Sequence, residues 1–162
     1  MYLMKPGDME ENKQSAKIRL TAMDMLSYRE FSCLELTNKL AKKFDNSPLI
    51  GAVISQLVKD NLQSDKRFSE AFVRSRIARG QGEVRIGMEL RQRGINNDLA
   101  EQAVVSCDVD WFALAADVAA NKFGDGKPTD NRERAKRMRF LQYRGFTYEQ
   151  ISHALSTQNT DN

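Results

Sequence analysis

Few residues in this chain could do covalent chemistry, and they stand apart from one another. The only histidine, His153, lies beside Ala154 and Leu155 with no acid or nucleophile at helical spacing, so it reads as structural. Gly80-Gln81-Gly82 resembles a piece of a phosphate loop. It lacks the third glycine and the Gly-Lys-Ser/Thr ending, and a turn between two helices explains it better. Asp108, Asp110, Asp117 and Asp125 do not have metal-loop spacing, and Asp108 or Asp110 fits a helix N-cap instead. Cys33 and Cys107 have apolar neighbours and no CxxC or histidine partner, as expected of reduced core thiols in a cytosolic protein. No catalytic residue, metal or cofactor is expected. Binding is what remains.

The residues that could bind are basic, and they are clustered. Segment 63–96 carries a net charge of +4 and segment 127–144 a net +5, while the intervening 97–126 carries −5. Arg74, Arg76, Arg79, Arg85, Arg91 and Arg93 make up most of the first block; Arg132, Arg134, Lys136, Arg137, Arg139 and Arg144 dominate the second. The N-terminal third relies on lysine instead (Lys39, Lys42, Lys43, Lys59). Guanidinium is planar and bonds carboxylate or phosphate in a bidentate fashion, so the arginine bias points to an acidic protein surface or a polyanion. Some of these residues are expected to pair locally with Glu70, Glu83, Glu89 or Glu133. The surplus in each block is too large for all of them to do so. The partner-binding candidates are Arg74, Arg76, Arg79, Arg85, Arg91, Arg93, Lys136, Arg137, Arg139 and Arg144.

The elements that must position them are helices. Apolar residues recur at three- and four-residue spacing, and long alternating strand patterns are missing. Ser32-x-x-Glu35 and Thr147-x-x-Gln150 have the form of capping boxes, Ser47-Pro48 that of an N-cap followed by proline, and Gly80, Gly94, Gly124 and Gly145 each follow a helical pattern. The reading is nine helices: about 15–28, 33–44, 48–61, 65–79, 83–93, 97–106, 110–123, 130–144 and 148–156.

These helices repeat. "ELRQRGI" (89–95) returns as "FLQYRGF" (140–146). With Leu40, Leu90 and Leu141 aligned, the positions ten, thirteen and fourteen residues on are Ile50, Val53, Ile54; Ala100, Ala103, Val104; and Ile151, Ala154, Leu155. The positions twenty-two and eighteen residues back are Ile18, Ala22; Phe68, Phe72; and Ala119, Phe123. Every one is apolar. The fold class is therefore all-α, with three tandem three-helix repeats at 15–62, 63–107 and 108–156 stacked into an extended surface. The polar segments 1–14 and 157–162 are expected to be loosely ordered. No apolar run approaches the ~20 residues of a membrane span, and a monomer is expected because the repeats bury their own core.

The middle of the chain resembles a known family. Asp65-x-Arg67-Phe68-x-x-x-Phe72-x-x-Ser75-Arg76, followed by Gly80-x-Gly82-x-x-Arg85-Ile86-x-x-Glu89-Leu90-x-x-x-Gly94-Ile95, is similar to the central signature of the RecX regulatory proteins. Glu35-Leu36-x-x-Lys39-Leu40, "DVDWFALAADVAANKFG" (108–124) and Arg144-Gly145-Phe146 extend the resemblance to roughly residues 15–156. Within it, Phe68, Phe72, Gly80, Gly82, Ile86, Glu89, Leu90, Gly94 and Gly145 are expected to be largely structural. The chain departs from the family at Gln81 (usually aromatic), Glu83 (commonly proline), Asn61 (usually glycine) and before Phe44, where a glycine is lost.

The resemblance implies an elongated curved array of the three repeats, and a regulator, not an enzyme, that binds the RecA nucleoprotein filament along its groove. It further implies inhibition of recombinase, ATPase and coprotease activities in DNA repair and the SOS response, with single- and double-stranded DNA as further partners. The alternative is a DNA-binding helical module, with Arg85–Arg93 as its recognition helix, that acts by competing for DNA.

Overall fold

The computed structural model describes residues 3–157, and among these the regular structure is entirely helical. The helices are α1 (Pro6–Tyr28), α2 (Cys33–Lys43), α3 (Ile50–Lys59), α4 (Asp65–Ala78), α5 (Glu83–Gln92), α6 (Asn97–Ser106), α7 (Trp111–Phe123), α8 (Asn131–Arg144) and α9 (Tyr148–Thr157). Both expected capping boxes form. Ser32 Oγ accepts the Glu35 N–H at 3.1 Å while the Ser32 N–H donates to Glu35 Oε2 at 3.4 Å. The Thr147 N–H donates to Gln150 Oε1 at 2.9 Å, and Thr147 Oγ1 accepts the Gln150 N–H at 3.3 Å. Of the two aspartates proposed as caps, Asp110 is the one that caps α7, accepting from the Ala113 N–H at 3.1 Å.

Three boundaries differ from expectation. Helix α1 starts at Pro6, so residues 6–14 are helical rather than loosely ordered. Proline suits the first helical position and Asp8 lies in the positive first turn. These residues are nearly all exposed, so they carry no apolar stripe to betray the helix. Ser47-Pro48 does not open α3 directly. Ser47 leads a short turn in which its carbonyl accepts the Ile50 N–H at 3.3 Å, and the regular helix begins at Ile50. In the C-terminal tail Thr157 still belongs to α9, and residues 158–162 lie outside those described.

Glycine is not the only residue ending these helices in a left-handed turn. Gly80, Gly94, Gly124 and Gly145 all have positive φ, and so do Asp45, Asn46, Asn61 and Asp108. Asn61, at φ 59°, holds the family's glycine position, and the Leu62 N–H returns to the Leu57 carbonyl at 2.9 Å. Asn and Asp are the side chains that tolerate this region best, so the first repeat makes its left-handed turns without glycine.

The described chain divides into two compact units: residues up to Ser69 with Arg93–Ile95, and Glu70–Gln92 with Asn96 onward. In the first unit α1, α2 and α3 close on Ile18, Ala22, Leu36, Leu40, Ile50, Val53, Ile54 and Leu57. In the second, α7, α8 and α9 close on Ala115, Val118, Ala119, Leu141, Phe146, Ile151, Ala154 and Leu155. The repeat positions are thus core positions: all those aligned above are buried except Val104 and Phe123, which are half-buried. Burying each Leu or Ile contributes roughly 1.5–3 kcal/mol.

Two glycines of the second unit lock helices together. Gly145 ends α8 at φ 99°, and the Phe146 N–H returns to the Leu141 carbonyl at 3.2 Å. The carbonyls left over at that helix end accept the first amides of α5: Gly82 N–H donates to Arg144 O at 2.8 Å and Val84 N–H to Gly145 O at 3.0 Å. The negative end of one helix dipole therefore abuts the positive end of another. A Cβ on Gly82 would fall 2.4 Å from the carbonyl of Gly145, and one on Gly145 would fall 2.3 Å from Arg85 Cβ. Repeated "RG" thus does two jobs, a left-handed cap and a close backbone approach. Gln150 Nε2 donates to Glu83 Oε1 at 2.7 Å across the same junction, which gives Glu83 a partner where the family commonly has proline.

Candidate partner-binding surface

The ten basic candidates separate into those held inside the fold and those left to solvent. Glu89 on α5 takes two of them, Arg85 Nε at 3.0 Å and Arg76 Nε at 3.3 Å. Arg76 also lies over the Phe72 ring at 4.5 Å, and Arg85 over Tyr143 at 5.1 Å. In the first unit, Arg93 Nε meets Glu35 Oε1 at 3.2 Å, and the Arg93 carbonyl accepts Ser32 Oγ–H at 2.8 Å. Arg137 is only 6% exposed. It pairs with Glu133 at 3.2 Å, donates to the Gly126 carbonyl at 2.6 Å and covers Phe123, pinning the loop before α8. Arg144 donates to the Arg79 carbonyl at 2.9 Å, satisfying the end of α4, and lies over Phe140. These five guanidiniums hold helices in place.

Arg74, Arg79, Arg91, Lys136 and Arg139 are exposed. Among the described residues none of them has a carboxylate within salt-bridge distance; Arg91 Nε bonds the side-chain oxygen of Asn97, at 2.8 Å. On α8, Arg132, Lys136, Arg139 and Tyr143 follow one another at four-, three- and four-residue steps and are all exposed, so they form one stripe opposite the buried Arg137 and Leu141. Tyr143, 76% exposed at the end of this stripe, was not singled out from the sequence. The available signal was an aromatic residue lying off the Leu141 face of a strongly basic helix. At a rise of ~1.5 Å per residue the stripe extends ~16 Å.

Glu89 bears on all of this, since it fixes α5 against the α4 segment that carries Arg74 and Arg79. Glu89→Ala is expected to lower stability by roughly 2–3 kcal/mol, somewhat less than for a fully buried pair, because two guanidiniums lose their shared carboxylate. Arg85→Ala is expected to cost less, since Arg76 keeps Glu89. Urea unfolding of the two variants checks the order.

The residues considered for chemistry lie elsewhere. His153 is exposed and meets Phe112 edge-on at 5.4 Å. Cys33 and Cys107 are free and half-buried; burial pushes both thiols up from their ordinary value, and at Cys33 the Asp65 carboxylate adds to the effect. Among the described residues no group of three or more His, Cys, Asp or Glu could hold a metal ion, and no helix is long and apolar enough to cross a membrane.

Comparison with known proteins agrees with this architecture. The family model for the second three-helix domain of RecX matches residues 64–104, and that for the third matches residues 108–155. The regulatory protein RecX of Halorhodospira halophila is 39% identical over 152 residues, covering 94% of each chain. That of Chromohalobacter salexigens is 42% identical over 143 residues, covering 88% of this chain and 93% of the relative. The crystal structure of RecX from Lactobacillus salivarius, at 23% identity, superposes with a TM-score of 0.77 over 93% of this chain and 99% of that one. A second crystal structure titled regulatory protein RecX, at 20% identity, gives 0.79 over 95% and 80%.

Proposed function

The chain belongs to the RecX family of regulatory proteins, and from that premise we propose that it binds the RecA nucleoprotein filament and inhibits its recombinase, ATPase and coprotease activities. The observation that carries this reading is the set of exposed cations without ion pairs among the described residues: Arg74, Arg79, Arg91, Lys136 and Arg139. Side chains that serve the fold are paired, as Arg76, Arg85, Arg93 and Arg137 are. Cations left in water on neighbouring helices are available to an acidic or phosphate-bearing partner. Three-helix units at 15–62, 63–107 and 108–156 would each contribute weak contacts that add along a filament, and occupancy of the groove would keep homologous duplex out. In this reading the chain works in the cytoplasm as a monomer, in DNA repair and the SOS response.

A second reading, competition for DNA, is favoured by one feature, the α8 stripe. Three cations in line with an exposed tyrosine suit a single strand, which needs charge for its phosphates and an aromatic face for its bases. Order of addition separates the two. A filament binder added to preassembled filaments, with free single-stranded DNA in excess, is expected to inhibit RecA ATPase as strongly as when it is added first. A DNA competitor loses potency in proportion to the excess DNA, and loses it steeply as salt rises.

A further inference from the structure

The second unit contains a cleft of which only Arg79 figures in either reading. It lies where the end of α4 meets α7 and α8, and encloses about 470 Å³. Its floor is apolar, with Ile77, Leu114, Val118 and Phe140 among its lining residues. Its rim carries three cations, Arg79, Lys122 and Arg144, against one carboxylate, Asp117. Among the described residues neither Arg79 nor Lys122 has an ion-pair partner, and both are exposed. Lys122 Nζ stands 5.6 Å and the Arg144 guanidinium 5.0 Å from the centre of the Phe140 ring, so this ring, with the Arg79 carbonyl that also accepts from Arg144, holds the two charges at the rim.

An apolar floor under a net positive rim specifies its occupant. We propose that this cleft seats an acidic segment of the protein partner, one apolar side chain entering between Val118 and Phe140 while flanking carboxylates take Arg79, Lys122 and Arg144. A nucleic acid fits less well. Most of the floor is aliphatic, and its one aromatic ring already carries two cations and meets Phe123 edge-on at 5.3 Å, so it is a poor platform for stacking a base. Asp117 can accept a peptide N–H, a donor that a phosphodiester backbone lacks. Pockets of this size, with a few convergent polar groups, are where binding energy at protein interfaces concentrates. Gly80 keeps the entrance open: a Cβ there would lie 2.9 Å from the Val118 side chain and 3.4 Å from the Arg144 guanidinium.

The inference rests on the reading of the chain as a filament regulator, and the test separates the two. Asn121 lines the cleft and is exposed. In the full-length protein, Asn121→Trp would fill the cleft and Lys122→Glu would reverse one rim charge; circular dichroism verifies the fold of both. Binding is measured to RecA filaments assembled on oligo-dT with a non-hydrolysable nucleotide, and to oligo-dT alone. Both variants are expected to bind filaments at least tenfold more weakly, with Asn121→Trp leaving oligo-dT binding within about twofold of the parent. A photo-crosslinking side chain at position 121 is expected to label RecA, on a stretch with Asp or Glu on both sides of an apolar residue. Filament binding unchanged in both variants, or labelling of the DNA alone, would overturn the cleft assignment while leaving filament regulation standing. Failure of the unmodified protein to bind filaments at all would remove the regulatory reading and the cleft's partner with it.

Discussion

Alanine at Gly82 is expected to lower the stability of the second unit by roughly 2–3 kcal/mol, toward the upper end of what overpacking usually costs. The methyl group would sit 2.4 Å from the backbone C and O of Gly145 and 2.6 Å from the Phe146 nitrogen. These are main-chain atoms, so relief requires α8 and α5 to separate. That stretches the two hydrogen bonds, Gly82 N–H to Arg144 O and Val84 N–H to Gly145 O, through which one helix end satisfies the other. Gly51 supplies the contrast. It is exposed within α3, and a methyl group there would meet nothing within 4 Å. Gly51→Ala is expected to raise stability by about 0.5–1 kcal/mol, because alanine loses less backbone freedom in a helix. Denaturant unfolding of both variants is the check, and equal effects would contradict the proposed role of the helix junction.

The second large effect is expected at the surface. Replacing Arg74, Arg79, Lys136 and Arg139 together with alanine should weaken inhibition of RecA by roughly tenfold to a hundredfold. This follows from ~0.5 kcal/mol lost per exposed charge, where about 1.4 kcal/mol corresponds to tenfold. Stability should hardly change, since none of the four makes an ion pair with another described residue. The matching set Arg76, Arg85, Arg93 and Arg137 is expected to behave in the opposite way. Each is bound to a carboxylate of its own unit, so its loss should destabilise the protein before it affects a partner. Melting temperature and ATPase inhibition, measured on both sets, resolve the two roles.

This division marks the limit of what could be read from sequence. The helices were legible because burial imposes a 3.6-residue period, and capping residues such as Ser32, Asp110 and Thr147 mark their ends. Residues 6–14 were not, since a helix exposed on nearly every side leaves no periodic trace. Two of the internal ion pairs, Arg85 with Glu89 and Arg137 with Glu133, follow four-residue spacing and could be anticipated. Arg76 with Glu89 and Arg93 with Glu35 could not, because only the tertiary fold brings their partners near. The same applies to Gly82 and Gly145. Each was legible as a turn residue, and neither disclosed that it touches the other. The cleft was equally hidden. Its cations come from the end of α4, from α7 and from α8, so charge counts placed Lys122 in an acidic segment rather than beside Arg79 and Arg144.

Cosedimentation of the full-length protein with preassembled RecA filaments on single-stranded DNA, beside DNA alone and RecA alone, tests the central claim most directly. The account predicts that the protein pellets with the filament in preference to either component, and that the Arg74, Arg79, Lys136, Arg139 variant stays in the supernatant while still folded. Equal recovery on bare DNA and on filaments, or a variant that pellets as fully as the parent, would contradict it.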